Sequence, residues 1–257
     1  MQRLYYPTMC SLSHVIMSKI NSFMSIKALY RTAGLVLIVE SLLLFVPVFI
    51  LGAAINWPAS LGEPASIMLP LLIEKAEPVR IGYLIYLLYS ILFWVVALLT
   101  ARVISNGETN PVWLQVATGF GIASTVTRCL GIIRWLVPMP ALAQVYADPA
   151  ISAQTREAIA VVYKTLNDYA GSVGEVLGVS LFTVLWLTII SIYLLRSRTL
   201  PRWLGIFGII AALFLATQLI ELFGVDLGAF ISVSVTMLQL WFLAAGVTLL
   251  RHKNVQV

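Results

Sequence analysis

An all-α integral membrane bundle of six transmembrane helices, both termini cytoplasmic, is the fold class this sequence predicts, and three observations predict it. Six stretches of about 20 or more mostly apolar residues run through the chain; at about 1.5 Å per helical residue each is long enough to cross a hydrocarbon core of about 30 Å. Hydrophobic residues make up 60% of the 257 positions and charged residues only 11%, against about 45–50% and 25% in soluble domains. The basic residues also gather on alternate loops. Arg3, Lys19, Lys27 and Arg31 precede the first span, Arg196, Arg198 and Arg202 fill the turn after the fourth, and Arg251 and Lys253 follow the sixth. On the other side lie Glu63, Glu74, Glu77, Asp148, Glu157, Asp168 and Asp226, with Lys75, Arg80, Arg156 and Lys164. The positive-inside rule then predicts cytoplasmic termini. It also accounts for the net charge of +5 without a nucleic-acid partner.

The predicted spans are residues 33–55, 80–104, 112–137, 171–195, 203–223 and 227–250, within one membrane domain over residues 28–251 and ahead of a short cytoplasmic tail, 252–257. Residues 1–27 form a leader in which Leu12, Ile16, Ile20 and Phe23 recur at helical spacing. That pattern suits a helix on the inner leaflet, and a start at Met24 fits the same segment. In the first span, Pro47 removes the donor for the Leu43 carbonyl and predicts a kink. The first external loop, Trp57-Pro58 through Glu63-Pro64, is expected to be an interfacial anchor and turn. After the third span Pro138 and Pro140 end the helix, Asp148-Pro149 has the pattern of an N-cap and first-turn proline, and 159–169 carries one apolar face. A helix lying on the outer surface or running straight into the fourth span is expected there.

Ionisable groups at membrane depth cost about 2.5–3.5 kcal/mol each on insertion scales, so each needs a partner or a wet cavity. Here they are Glu40, Arg128, Arg134, Glu175 and Glu221, and four of the five fall in the outer half of their spans. Ala117, Gly121, Ser124, Arg128 and Gly131 form a seam of small residues on the third helix, and Glu175 sits between Gly171 and Gly178 on the fourth, within Gly174-x-x-x-Gly178. Such seams let helix backbones approach closely, within or between chains. Arg128 is expected to reach outward to Glu175, and Arg134 to pair with Glu221 or share Glu175. Tyr83, Tyr86, Tyr89 and Gln218 fall at the same level. Two readings stay open: charges that hold helices in register, or a small polar pocket for a ligand or lipid headgroup. Glu40 stands apart, as a neutral hydrogen-bonded carboxyl or a proton site.

The catalytic inventory is thin. His14 and His252 both lie outside the spans, so a histidine metal site, bis-histidine haem and a Ser-His dyad within them are excluded. Aspartates occur only in loops or at span ends. Cys10 and Cys129 set no disulfide framework. No cofactor or metal is expected, and the reading leans away from an enzyme. A small transporter using the intramembrane Glu and Arg residues is the alternative.

The chain resembles a family of bacterial multi-spanning membrane proteins known as a domain of unknown function of the 4386 type. The residues that carry the resemblance are Leu29-Tyr30-Arg31-Thr32-Ala33-Gly34, Trp57-Pro58-Ala59-Ser60-Leu61, Arg134-Trp135 with Pro138 and Leu142-Ala143, Tyr169-Ala170-Gly171 with Gly174-Glu175, and Leu200-Pro201-Arg202-Trp203-Leu204-Gly205. The resemblance implies a helical membrane fold over about 28–251. It implies no activity, ligand or catalytic residue.

Overall fold

A computed structural model describes residues 25–196, 200–225, 227–228 and 230–252. The leader to residue 24, Arg198, Asp226 and the tail from Lys253 lie outside the described residues, and so do the expectations placed on them.

The described residues fold into helices, with no strand among them. Helix α1 (Ile26–Leu43) starts on Ser25, whose hydroxyl accepts the Ala28 N–H at 3.2 Å, and α2 (Phe45–Ile55) continues it. Between them the backbone of Leu44 stays helical at φ −58°, ψ −36°, and only the hydrogen-bond ladder lapses, as Pro47 requires. A short 3-10 turn (Ala59–Gly62) leads to α3 (Ala65–Glu74) and α4 (Ala76–Ile104). Helix α5 (Val112–Leu136) is followed at once by α6 (Pro138–Tyr146) and then α7 (Ala153–Gly171). A π-helical segment (Ser172–Phe182) joins α7 to α8 (Thr183–Arg196). Helix α9 (Arg202–Ala216) tightens into a 3-10 segment (Thr217–Phe223), and α10 (Phe230–Arg251) closes the described chain. Six of these runs are long and apolar enough to cross a membrane: Ile26–Ile55, Ala76–Ile104, Val112–Tyr146, Ala153–Arg196, Arg202–Phe223 and Phe230–Arg251.

Packing follows chain order around a ring. Helix α1 lies against α4, α4 against α5, α5 against the π segment and α8, α8 against α9, α9 against α10, and α10 returns to α1. The middle of the ring is filled by Phe93, Trp186, Trp241 and Phe242, all fully buried. Trp186 meets Trp241 at 90° and 5.8 Å and Phe93 at 78° and 5.1 Å, the edge-to-face geometry that aromatic quadrupoles favour. The bundle is therefore plugged at that level. Its outer surface is apolar instead of charged: Leu84, Leu88, Ile91, Val95 and Leu98 stand exposed along one face of α4, a patch that acyl chains cover without penalty and water would not.

Three sequence expectations change at the end of the bundle remote from the termini. The first loop holds a helix, α3, buried on one face, with Met68 and Leu69 fully enclosed. Trp57 is half-buried and packs edge-to-face on Tyr86 at 5.9 Å. Asp148 does not cap a helix; it accepts the Ala150 N–H in a local turn at 2.8 Å, and Ser152 caps α7 through the Thr155 N–H. No single loop is long enough to bury a core, but α3, α6 and α7 pool their apolar faces with the span ends, around Met68, Tyr83, Trp135, Met139 and Tyr163. Two bonds from α7 fasten this cap: Tyr163 donates to the Glu63 carbonyl at 3.3 Å, and Asn167 donates to the Leu61 carbonyl at 2.9 Å.

Candidate functional site

The crossing of α5 with the π segment positions the polar residues. Gly131 and Gly174 face each other so closely that a Cβ added at Gly131 would stand 2.7 Å from the Gly174 Cα, and one at Gly178 would stand 3.0 Å from the Arg128 backbone nitrogen. The Gly174/Gly178 seam thus packs within the chain, against Gly131, Thr127 and Arg128, while Gly121 further along α5 packs on Ala97 of α4; Ala117, Gly121, Ser124, Arg128 and Gly131 are all buried. Ser124 donates to the Gly178 carbonyl at 2.7 Å across the same seam. Thr183 returns its hydroxyl to that carbonyl, five residues back, at 2.9 Å, a satisfaction of the wider π turn that sequence periodicity does not announce.

Arg134 is the partner of Glu175, at 3.3 Å, and it also donates to the Gly131 carbonyl at 3.2 Å. Arg128 instead donates to the Thr183 hydroxyl at 2.8 Å and lays its guanidinium over Phe93 at 4.4 Å. The expected Arg128 to Glu175 contact is therefore corrected, and the reason is directional. Side chains on a helix lean toward its N-terminus. The two helices run antiparallel, so both arginines lean toward the termini end while Glu175 leans toward the cap. Arg134 leans down to meet it, and Arg128 leans away.

That lean also corrects the isolation of Glu40. Its carboxylate, fully buried on α1, lies within reach of the Arg128 charge and of Tyr89. Gln239 of α10 completes the group by donating to the Tyr89 hydroxyl at 2.9 Å, while Ser41 donates to the Gln239 carbonyl at 2.8 Å.

The remaining candidates divide. Tyr83 stacks on Trp135 at 5.4 Å, and Arg134 covers the same indole at 5.3 Å. The half-buried Tyr86 lies between the rings of Trp57 and Tyr89 and within electrostatic range of Glu175, Arg128 and Arg134. Gln218 belongs to a separate knot: it accepts from Ser180 at 2.6 Å and donates to Ser234, so it ties the 3-10 segment to its neighbours. Glu221 lies half-buried on that segment. Leucine at Gln218 is expected to cost about 1–3 kcal/mol, because it removes two buried hydrogen bonds and leaves the Ser180 hydroxyl without its acceptor, measured as a drop in the detergent unfolding midpoint.

Sequence reasoning missed Thr183, Ser41 and Gln239. Each is an uncharged polar residue whose hydrogen-bond partner lies on another helix or across the wider π turn. Their one sequence signal is depth: a polar side chain near mid-span that must find a partner across the bundle.

A family model described as a domain of unknown function, DUF4386, matches residues 32–250. The chain belongs to this family. The match begins within α1 and ends within α10, and it takes in all the polar residues above. No curated protein and no solved structure matches the chain.

Proposed function

We propose that this DUF4386 chain is a binding protein of the bacterial plasma membrane, with both termini cytoplasmic, that receives an ammonium group at Glu175. Orientation rests on charge: Lys27, Arg31, Arg102, Arg196, Arg202 and Arg251 flank the termini end with Glu108, while Glu63, Glu74, Glu77, Asp148, Glu157 and Asp168 flank the cap with the smaller basic set Lys75, Arg80, Arg156 and Lys164.

The observation that carries the binding reading is an asymmetry within the ion pair. The Arg134 side chain is 6% exposed and its partner Glu175 is 51% exposed. Arg134 supplies one bond from inside, and the rest of the carboxylate faces outward at a depth where an unmatched charge costs about 2.5–3.5 kcal/mol. A donor with positive charge matches it. The ring of Tyr86, within electrostatic range of Glu175, adds a face that attracts ammonium. A primary amine could arrive on a lipid headgroup or on a small soluble molecule.

Native mass spectrometry of the chain released from nanodiscs of phosphatidylethanolamine and phosphatidylglycerol tests the reading. Retention of phosphatidylethanolamine that disappears in Glu175→Gln is the expected result, and competition by free ethanolamine would identify a soluble amine as the source. Retention indifferent to Glu175→Gln, or selective for phosphatidylglycerol, would overturn it. Glu175→Gln keeps an acceptor for Arg134 but leaves its buried guanidinium without a counter-charge, so the variant is expected to lose stability, by as much as about 3 kcal/mol, and retention is read on the folded protein.

A further inference from the structure

At the level where the ring is otherwise apolar, buried polar atoms of opposite character are left without partners. Both carboxylate oxygens of Glu40 and Oε1 of Gln239 lack donors; Nε and Nη1 of Arg128 lack acceptors. Glu40 is 0% exposed, Gln239 2% and Arg128 3%. Each group left unmatched carries its full desolvation penalty, and the charged ones carry the most. Direct contact between Glu40 and Arg128 would cancel most of that cost. Arg128 is drawn off, however, by Thr183 and by the Phe93 ring.

The chemistry of the deficit selects its remedy. An anion would serve Arg128 alone, and a metal ion would serve Glu40 and Gln239 alone. A species that both donates and accepts serves all three, and water is the smallest of these; buried water characteristically makes two to four bonds to groups of this kind. We propose that Glu40, Tyr89, Arg128 and Gln239 enclose a hydrated proton site in the middle of the bundle, at which Glu40 reversibly takes up a proton.

The step is one proton transfer: a bridging water passes a proton to a carboxylate oxygen of Glu40 and takes up one proton from bulk in return, so the net change is one proton bound; nothing is oxidised or reduced. Arg128 from α5, its guanidinium 5.9 Å from the Tyr89 ring, and Tyr89 from α4 are the charged and titratable groups within electrostatic range of Glu40, and α10 contributes the uncharged Gln239, bonded to Tyr89 and to Ser41 beside Glu40. The site is distinct from the open Glu175 carboxylate and needs no amine.

Infrared difference spectroscopy of the full chain in nanodiscs, stepped in pH in light and heavy water, tests it. The expected result is a protonated-carboxyl band that changes reversibly with pH, shifts in heavy water and is lost in Glu40→Gln. Should that variant not fold, Glu40→Asp keeps a carboxyl group and moves the band. Absence of any Glu40-dependent band at every pH, which means a permanent carboxylate, overturns the proposal. So does a band that ignores both pH and heavy water, which means a sealed neutral acid. Gln239→Leu, which removes a water acceptor without touching either charge, is expected to abolish the heavy-water shift on the same timescale.

Discussion

Alanine at position 128 is expected to destabilise the bundle by about 3–5 kcal/mol, the typical cost of removing one partner from a buried charged group. Arg128 is 3% exposed and is held by Thr183 on one side and Phe93 on the other. Truncation removes that bond and that stacking contact, and it leaves the buried Glu40 without the cation that faces it. Detergent unfolding of the two proteins gives the difference directly. Lysine keeps the charge without the planar fork, so it should restore only part of the loss. Alanine at both Glu40 and Arg128 should cost less than the sum of the single changes, because removing the second charge relieves the penalty created by the first. An Arg128→Ala protein that melts with the parent would mean that the guanidinium contributes nothing net where it lies.

The same residue marks how far the sequence can be read. Span number, approximate limits and the buried seam on α5 follow from hydropathy and from the spacing of small residues, because lipid imposes those patterns along the chain. Pairing across helices depends on register and direction. The sequence places Arg128, Arg134 and Glu175 in the outer half but leaves their partners open; the lean of side chains toward each helix N-terminus decides in favour of Arg134. That rule was available from the sequence once the spans were known to be antiparallel. The π segment was not: its wider turn shifts Thr183 into reach of Arg128, and nothing in Ser172–Phe182 distinguishes it from an ordinary α-helix. The cap was hidden for another reason. Residues 65–74 are apolar but too short to span, and their burial depends on α6 and α7, which lie some 70 residues or more away in sequence.

Both polar sites are reached through one crossing, which makes that crossing the place to perturb them. Valine at Gly131 is expected to cost about 1–3 kcal/mol, in the range of overpacking a close contact. Its Cβ would stand 2.7 Å from the Gly174 Cα and 3.0 Å from the Ala170 carbonyl oxygen. Both neighbours are backbone atoms, so no side-chain rotation can relieve the clash and the helices must move apart. Separation pulls Glu175 from Arg134, whose 3.3 Å contact bridges the same gap, so amine retention should fall together with the unfolding midpoint. Gly119 provides the control, because a Cβ there meets nothing within 4 Å and yet valine imposes the same change in helix propensity. Stability and binding are expected to survive Gly119→Val and to fail together in Gly131→Val. If Gly131→Val lost stability but kept its amine, the ion pair would not be what presents Glu175 to the ligand.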